Sequence, residues 1–229
     1  MKRVIKIVTI GICVGFVLVI FQKSFRIDET AFMRGYWIAA PAIIIGAVLI
    51  NVFYNLVYLN KMRKIAKLLR EQKPQEYIDG IEALLKTAKG KILRNILTLN
   101  LAAGYIEIKQ FDMAITMLEG LSAEHLKGSA VNAAHRLNLC ISYFETGQHE
   151  KAMALYDGSQ TLFRKYRDGN IYGANIALLD ILAAIGNKQY ERAEKLLDSA
   201  NKTYDDPRFQ KVFHEVAHTL KEMKDSQHE

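Results

Sequence analysis

The sequence is poor in residues that break helices or cross-link chains. Three prolines, two cysteines and one tryptophan occur among its 229 residues. Cys13 lies in an apolar run and Cys140 in an amphipathic stretch, so they cannot build a disulfide framework, and Cys140 is expected to be a packed thiol. Strand-like alternation of apolar and polar residues is absent, although half of the residues are hydrophobic. The composition predicts an all-α protein and argues against a disulfide-stapled domain.

Most catalytic signatures are also missing. The chain has no phosphate-binding glycine loop, no Cys-x-x-Cys pair and no Gly-x-Ser-x-Gly motif, so we expect no cofactor. The exception is the string His214-Glu215-Val216-Ala217-His218. On a helix, His214 and His218 share one face and could ligate zinc, with Glu215 activating a bound water. This string supports an alternative function, a membrane zinc metalloprotease.

The surroundings of this string favour a structural role. A catalytic zinc needs a third protein ligand, and downstream only Glu222, Asp225, His228 and Glu229 could supply one. Residues 207–224 read instead as an amphipathic helix that caps the fold, with residues 225–229 as a tail. We therefore expect no enzyme and no metal.

The positive charge is concentrated near the N-terminus. The net charge is +7, yet residues 1–70 carry eleven basic against two acidic residues, and residues 71–229 carry twenty against twenty-two. A balanced C-terminal part lacks the basic face that nucleic-acid binders need, so no nucleic-acid partner is expected. A basic cluster follows the second apolar run; it marks topology or binds anionic lipid headgroups, and comprises Lys61, Arg63, Lys64, Lys67 and Arg70.

Two long apolar runs precede this cluster. They predict membrane spans at about residues 4–22 and 37–59, which form a two-helix anchor over residues 1–60. Eight basic residues flank the spans on the terminal sides and three lie in the loop, which favours cytoplasmic N- and C-termini and a multi-pass protein of the cell membrane. A cleaved signal peptide is the alternative for the first run.

Small and polar residues in the runs suggest how the spans pack. The patterns Gly11-x-x-x-Gly15 and Ala42-x-x-x-Gly46 allow two helix backbones to approach closely, either within the hairpin or in a homodimer. Asn51 and Asn55 lie one turn apart and need hydrogen-bond partners in hydrocarbon.

Three later segments can be laid over one another, at residues 99–118, 137–156 and 178–197. Each reads as a helix, a polar turn and a second helix that carries a small alanine: Ala114, Ala152 or Ala193. An earlier copy places Gly80 at 34 residues before Ala114. Such units cannot bury their apolar faces alone, so they predict a stacked helical solenoid. The expected units are 61–90, 92–127, 131–166 and 171–204, within a domain at 61–224.

The segments resemble the tetratricopeptide repeat (TPR), an antiparallel helix pair of about 34 residues. The residues that carry the resemblance are Leu101, Ala102, Tyr105, Phe111 and Ala114 in one copy, Leu139, Cys140, Tyr143, Gly147 and Ala152 in the next, and Tyr190 and Ala193 in the third. The third copy departs from the pattern, with Ala184 where Tyr is usual and Asp180 where Leu is usual. The resemblance implies a concave face built from the first helix of each unit.

That face is the expected binding site. The family often uses an Asn there to hold the backbone of a peptide, and Asn100 and Asn138 occupy the matching position, although each could instead cap or bridge neighbouring helices. Ala103, Ile106, Ile141 and Phe144 are expected to flank them and to give a mostly apolar groove for an extended segment or a helix. The sequence thus predicts a bacterial-type, membrane-anchored scaffold that recruits another protein; self-assembly into a homo-oligomer is a further alternative.

Overall fold

A computed structural model describes residues 14–25, 28–122, 126 and 128–225, apart from the side chain of residue 31. Helices account for all of the regular structure in these ranges, and none of the described residues forms a strand, so the predicted all-α class is confirmed there. The helices are α1 (Val14–Ser24), α2 (Glu29–Arg70), α3 (Pro74–Thr87), α4 (Lys91–Glu107), α5 (Phe111–Glu119), α6 (Ser129–Glu145), α7 (His149–Asp157), α8 (Gln160–Arg164), α9 (Gly173–Gly186), α10 (Tyr190–Thr203) and α11 (Pro207–Asp225).

The chain divides into two compact units, Met1–Val57 and Tyr58–Glu229. The first unit contains α1 and most of α2. Within the described residues, one helical stretch, Phe32–Arg70, is long and apolar enough to cross a membrane, and 6% of its most apolar window is buried. The first predicted span lies for the most part outside the described residues; its last part is the helix Val14–Ser24.

The predicted packing of the spans through small residues stays a prediction, because Gly11 and most of the first span lie outside the described residues. Apart from its chain neighbours and the backbone of its own helix, no described atom lies within 4 Å of a Cβ built on Gly15 or Gly46. The two amides find partners within their own helix, because Nδ2 of Asn55 donates to the backbone O of Asn51 at 2.8 Å and to its Oδ1 at 3.1 Å. This bonding satisfies part of the polar surface of α2 without a second helix.

In the second unit, consecutive helices pack against each other from α3 to α7 and from α9 to α11, and α6 also contacts α4 and α9. The unit predicted at 92–127 covers α5 and all but the first residue of α4, and that at 131–166 covers α7, α8 and all but the first two residues of α6. The unit predicted at 171–204 contains α9 and α10. The helix after them, α11, packs on α9 and α10. The core of the second unit is a continuous cluster of apolar side chains that runs from Leu99 to Leu220.

Four turns with one geometry recur in this unit. Each follows the first helix of a pair and contains a residue with left-handed backbone, and these residues are Gln72 (φ 56°), Lys109 (φ 59°), Gly147 (φ 72°) and Lys188 (φ 56°). In each turn the amide of the next residue bonds a carbonyl five positions earlier, at 2.8 or 2.9 Å, as in a Schellman cap. The second helix begins two residues after the left-handed residue. The structural period is therefore 37, 38 and 41 residues.

The predicted alignment of the first copy was wrong by three residues. The turn geometry places Tyr77, not Gly80, at the position of Ala114. Gly80 instead lets α3 lie against α2, since a Cβ at Gly80 would lie 3.2 Å from three atoms of Ile65. Gly104 has the same role in α4, where a Cβ would lie 2.8 Å from Ile78 and 2.9 Å from Tyr77. The glycines mark close helix contacts.

Cys140 is a packed thiol, as predicted. Its side chain is fully buried, and Sγ donates to the carbonyl of Ala152 at 3.2 Å. Burial raises the pKa of the thiol to about 12, so it stays protonated at neutral pH. Cys13 lies outside the described residues.

Asp180, the acidic residue in place of the usual leucine, is buried and fully partnered. Its carboxylate accepts a hydrogen bond of 2.6 Å from the hydroxyl of Tyr156 and forms a bidentate ion pair with Arg167. Arg167 belongs to the segment between α8 and α9, where Tyr166 also stacks edge-on against Tyr172 at 5.6 Å. The ion pair therefore ties this segment to α9.

Candidate partner-binding groove

In the second unit, a groove with a cavity volume of about 850 Å³ lies along α4, α6 and α9, each of which is the first helix of a pair. The α4 residues that line it recur at helical spacing, so they form one face of that helix. The remaining walls come from α6, from α9, from α11, from the end of α2, and from the segments that precede α9 and follow α10. The lining residues used below are Asn100, Ala103, Glu107, Asn138, Asp168, Ile171, Asn175, Tyr204, Asp205, Asp206 and Arg208.

The two predicted asparagines both line this groove, but they differ in their bonding. Asn100 has structural contacts, since its Nδ2 donates to the carbonyl of Ile96 at 2.8 Å and its backbone O accepts from the hydroxyl of Tyr77 at 2.9 Å. The side chain of Asn138 is half-buried and makes no hydrogen bond with the described residues. Asn175 on α9 is in the same state. Asn138 and Asn175 thus offer free amides to a ligand.

The charge of the groove is negative. Its lining contains four carboxylates and one guanidinium. Arg208 donates to Asp206 at 2.8 Å and lies 3.7 Å from Glu107. The bond to Arg208 lowers the pKa of Asp206, whereas burial raises the pKa of Glu107 despite the nearby guanidinium. Asp206 also caps α11, because the amide of Arg208 donates to its Oδ1 at 3.0 Å and Pro207 begins the helix.

The remaining carboxylates of the groove are Asp168 and Asp205, which are exposed. Neither forms an ion pair with the described residues. Burial raises the pKa of Tyr204, and the charge of Asp168 raises it further. The groove therefore presents two uncompensated negative charges at its rim.

The residues predicted to flank the asparagines divide between groove and core. Ala103 lines the groove. Ile106 packs against the core, and Ile141 and Phe144 are 5% and 7% exposed within it. The prediction that Ile141 and Phe144 flank the asparagines in the groove is corrected here, because these side chains are covered. Apolar residues still make up about half of the groove lining, beside polar and charged ones.

The His-Glu-x-x-His string lies at a second cavity of about 680 Å³, where Phe144 and His149 also contribute to the wall. Glu215, the required base, pairs with Lys109 at 2.9 Å, and Nδ1 of His218 lies 3.4 Å from Glu222. Among the described residues, no three His, Cys, Asp or Glu side chains come close enough together to hold a metal ion. His228 and Glu229 lie outside that range. The described residues do not fit a zinc site.

The basic cluster is solvent-exposed along the end of α2. All five of its side chains, Lys61, Arg63, Lys64, Lys67 and Arg70, are exposed. Lys61 lies 5.7 Å above the ring of Tyr58. None of the five forms an ion pair with the described residues, so their charges remain available to solvent or to an anionic surface.

Sequence reasoning missed Asn175 and the acidic rim of the groove. Asn175 lies one turn before Leu179, the residue that the alignment matched to the asparagines. Asp168 belongs to the segment between α8 and α9. A usable signal was the presence of acidic residues shortly before two helices: Asp168 before α9, and Asp205 and Asp206 before α11.

A scan against protein-family models and searches of curated proteins and of solved structures found no match to this chain.

Proposed function

We propose that this chain is a membrane-anchored scaffold whose TPR-like solenoid recruits a partner protein through the groove. The observation that carries the proposal is a pair of half-buried side-chain amides without a hydrogen-bond partner among the described residues. They belong to Asn138 on α6 and Asn175 on α9, and both line the groove. A helix interior disfavours Asn by roughly 0.6 kcal/mol relative to Ala, so a free amide at each position is better explained by a ligand than by the fold.

The anchor is the second part of the proposal. Two spans hold the protein in the cell membrane, and both termini face the cytoplasm. The long apolar stretch Phe32–Arg70, the helix Val14–Ser24 and the exposed basic cluster support this arrangement. The recurrent turns and the stacked helix pairs support the TPR-like assignment.

Site-specific photo-crosslinking in membranes tests recruitment. A photoreactive amino acid replaces Ile171, which lines the groove and is 79% exposed, or Met113, which lies outside it and is 47% exposed. We expect an adduct with one partner from position 171 and none of that adduct from position 113. The double variant Asn138→Ala with Asn175→Ala should lower its yield.

The matched control is Asn95→Ala with Asn201→Ala, which makes the same chemical change on α4 and α10 away from the groove. Unchanged yield in the groove variant, or equal adducts from both positions, would refute recruitment through this groove. An adduct formed only with a second copy of the chain would favour self-assembly.

Cysteine accessibility tests the topology. In a Cys13→Ser background, Glu29→Cys should react with a membrane-impermeant maleimide added outside intact cells, and Asp198→Cys should react only after lysis. Both positions are exposed, and the native Cys140 is fully buried and does not compete. Labelling of position 198 from outside would overturn the assignment.

A further inference from the structure

We infer that the groove selects an extended, positively charged segment of its partner. Asn138 and Asn175 hold the backbone of this segment, and Asp168 and Asp205 hold one of its lysine or arginine side chains. This inference rests on the proposed function and names the chemistry of what the groove recruits. It follows from charge, from hydrogen-bonding capacity and from helix spacing.

The charges favour a cation. Of the five charged residues that line the groove, four are acidic. Arg208, the one basic residue among them, is compensated by Asp206 at 2.8 Å and Glu107 at 3.7 Å. Arg70 lies close enough to contribute to the low pKa of Asp206, but it does not line the groove. A basic side chain that enters between Asp168 and Asp205 therefore gains attraction without displacing an existing ion pair.

The amides favour an extended ligand over a helical one. The backbone of a helix is already bonded internally, whereas an extended segment leaves N–H and C=O groups to be satisfied. Each of Asn138 and Asn175 can both donate to and accept from such a backbone. The two residues lie on α6 and α9, which pack on each other. Packed helices are about 8–10 Å apart, and an extended chain covers that distance in about three residues.

The same features argue against other occupants. An anionic lipid headgroup or a nucleic-acid phosphate would meet the uncompensated carboxylates at the rim, and the repulsion would oppose binding. The basic cluster of a second copy is helical within α2, so it does not offer the free backbone that the asparagines can bind. An extended basic segment satisfies both sets of groups at once.

Peptide binding to the full chain in zwitterionic detergent micelles tests this inference. The probes are fluorescein-labelled decapeptides of alternating lysine and serine, glutamate and serine, or glycine and serine, followed by fluorescence anisotropy. We expect the lysine peptide to bind about tenfold tighter than the glycine peptide, and the glutamate peptide to bind most weakly. The preference should shrink at high salt, because an exposed ion pair is screened.

Two variants separate charge from backbone recognition. Asp168→Asn with Asp205→Asn should weaken the lysine peptide about tenfold and leave the glycine peptide unchanged. Asn138→Ala with Asn175→Ala should weaken both peptides by the same factor. The control is Asp112→Asn with Asp198→Asn, two exposed acidic residues outside the groove, which should have no effect on either peptide.

The outcomes distinguish this inference from recruitment itself. Equal affinity for the three peptides, preference for the glutamate peptide, or lysine binding that survives the Asp168 and Asp205 changes would overturn the charge assignment. A partner adduct at position 171 would still stand in each of those cases and would support recruitment by other contacts. An adduct yield that stays the same in Asn138→Ala with Asn175→Ala would instead count against recruitment through the groove.

Discussion

Replacing Gly104 by alanine should destabilise the second unit, whereas the same change at Gly186 should not. Both glycines are helical, Gly104 within α4 and Gly186 at the end of α9. A Cβ at Gly104 would lie 2.8 Å from Cγ1 of Ile78 and 2.9 Å from Cδ1 of Tyr77. At Gly186 the nearest atom would be Cε1 of Phe144 at 3.4 Å, which is close to ordinary contact. The two substitutions therefore differ in packing while sharing their chemistry.

The distances set the expected magnitudes. Alanine gains about 1 kcal/mol over glycine within a helix, and less at a helix end. Carbon atoms prefer separations of about 3.5–4.0 Å, so the new methyl group at Gly104 is about 0.7 Å too close to its neighbours. Tyr77 and Ile78 are each 2% exposed and cannot turn aside. Overpacking of this kind costs about 1–3 kcal/mol, which leaves Gly104→Ala about 1 kcal/mol less stable.

Gly186→Ala keeps most of its helical gain, so we expect it to be neutral or more stable by up to about 0.5 kcal/mol. Thermal unfolding of the full chain in detergent, followed by circular dichroism, measures both. A destabilisation of about 1 kcal/mol corresponds to a Tm lower by about 2–4 °C in a unit of this size. Hydrogen exchange of α3 and α4 should rise in Gly104→Ala alone. A higher Tm for Gly104→Ala would refute the packing argument.

Two further predictions concern buried polar groups. Asp180→Ala should lower the free energy of unfolding by about 2 kcal/mol, because Arg167, whose side chain is 39% exposed, and the hydroxyl of Tyr156 lose their partner. Asp180→Leu with Arg167→Met should recover most of this loss in the same thermal assay. If the double variant is no more stable than Asp180→Ala, the ion pair does more than satisfy a buried charge. His135 is half-buried with Nε2 at 2.9 Å from the carbonyl of Leu118, and burial lowers its pKa. The unfolded chain therefore binds the proton more tightly than the folded chain, so the free energy of unfolding should fall as the pH drops below about 6.5. The fall should be smaller in His135→Gln, and parallel pH profiles of the two proteins would contradict this.

The helix pairs of the second unit could be predicted because apolar periodicity, small residues at contact positions and polar turns agree along residues 92–204. The first copy was misaligned because Gly80 looks like the small residue of a repeat, although its contact is with Ile65 of α2. A glycine signals a close approach but does not identify the neighbour.

The groove was predicted only in part, for a geometric reason. Ala103 and Ile141 each follow an asparagine by three residues, yet Ala103 lines the groove while Ile141 is buried. Position within one helix fixes a direction, but the neighbouring helices decide whether that direction is open. Phe144 lies six residues after Asn138, which turns it well away from the asparagine face, and helical spacing alone could have excluded it.

The four recurrent turns separate the lengths that are fixed in this chain from those that vary. Between the two helices of a pair, the left-handed residue and the one after it leave no room for an added residue, because the i to i−5 bond would be lost. Between pairs, the connections at 88–90, 120–128 and 158–172 differ in length, and the longest contains α8. A residue inserted between Gln110 and Phe111 should thus disrupt a pair, whereas one inserted at 120–122 changes only the spacing between pairs. The repeat period stays within 37 to 41 residues although the connections lengthen, because the helices that they join become shorter and only the turn within each pair keeps its length.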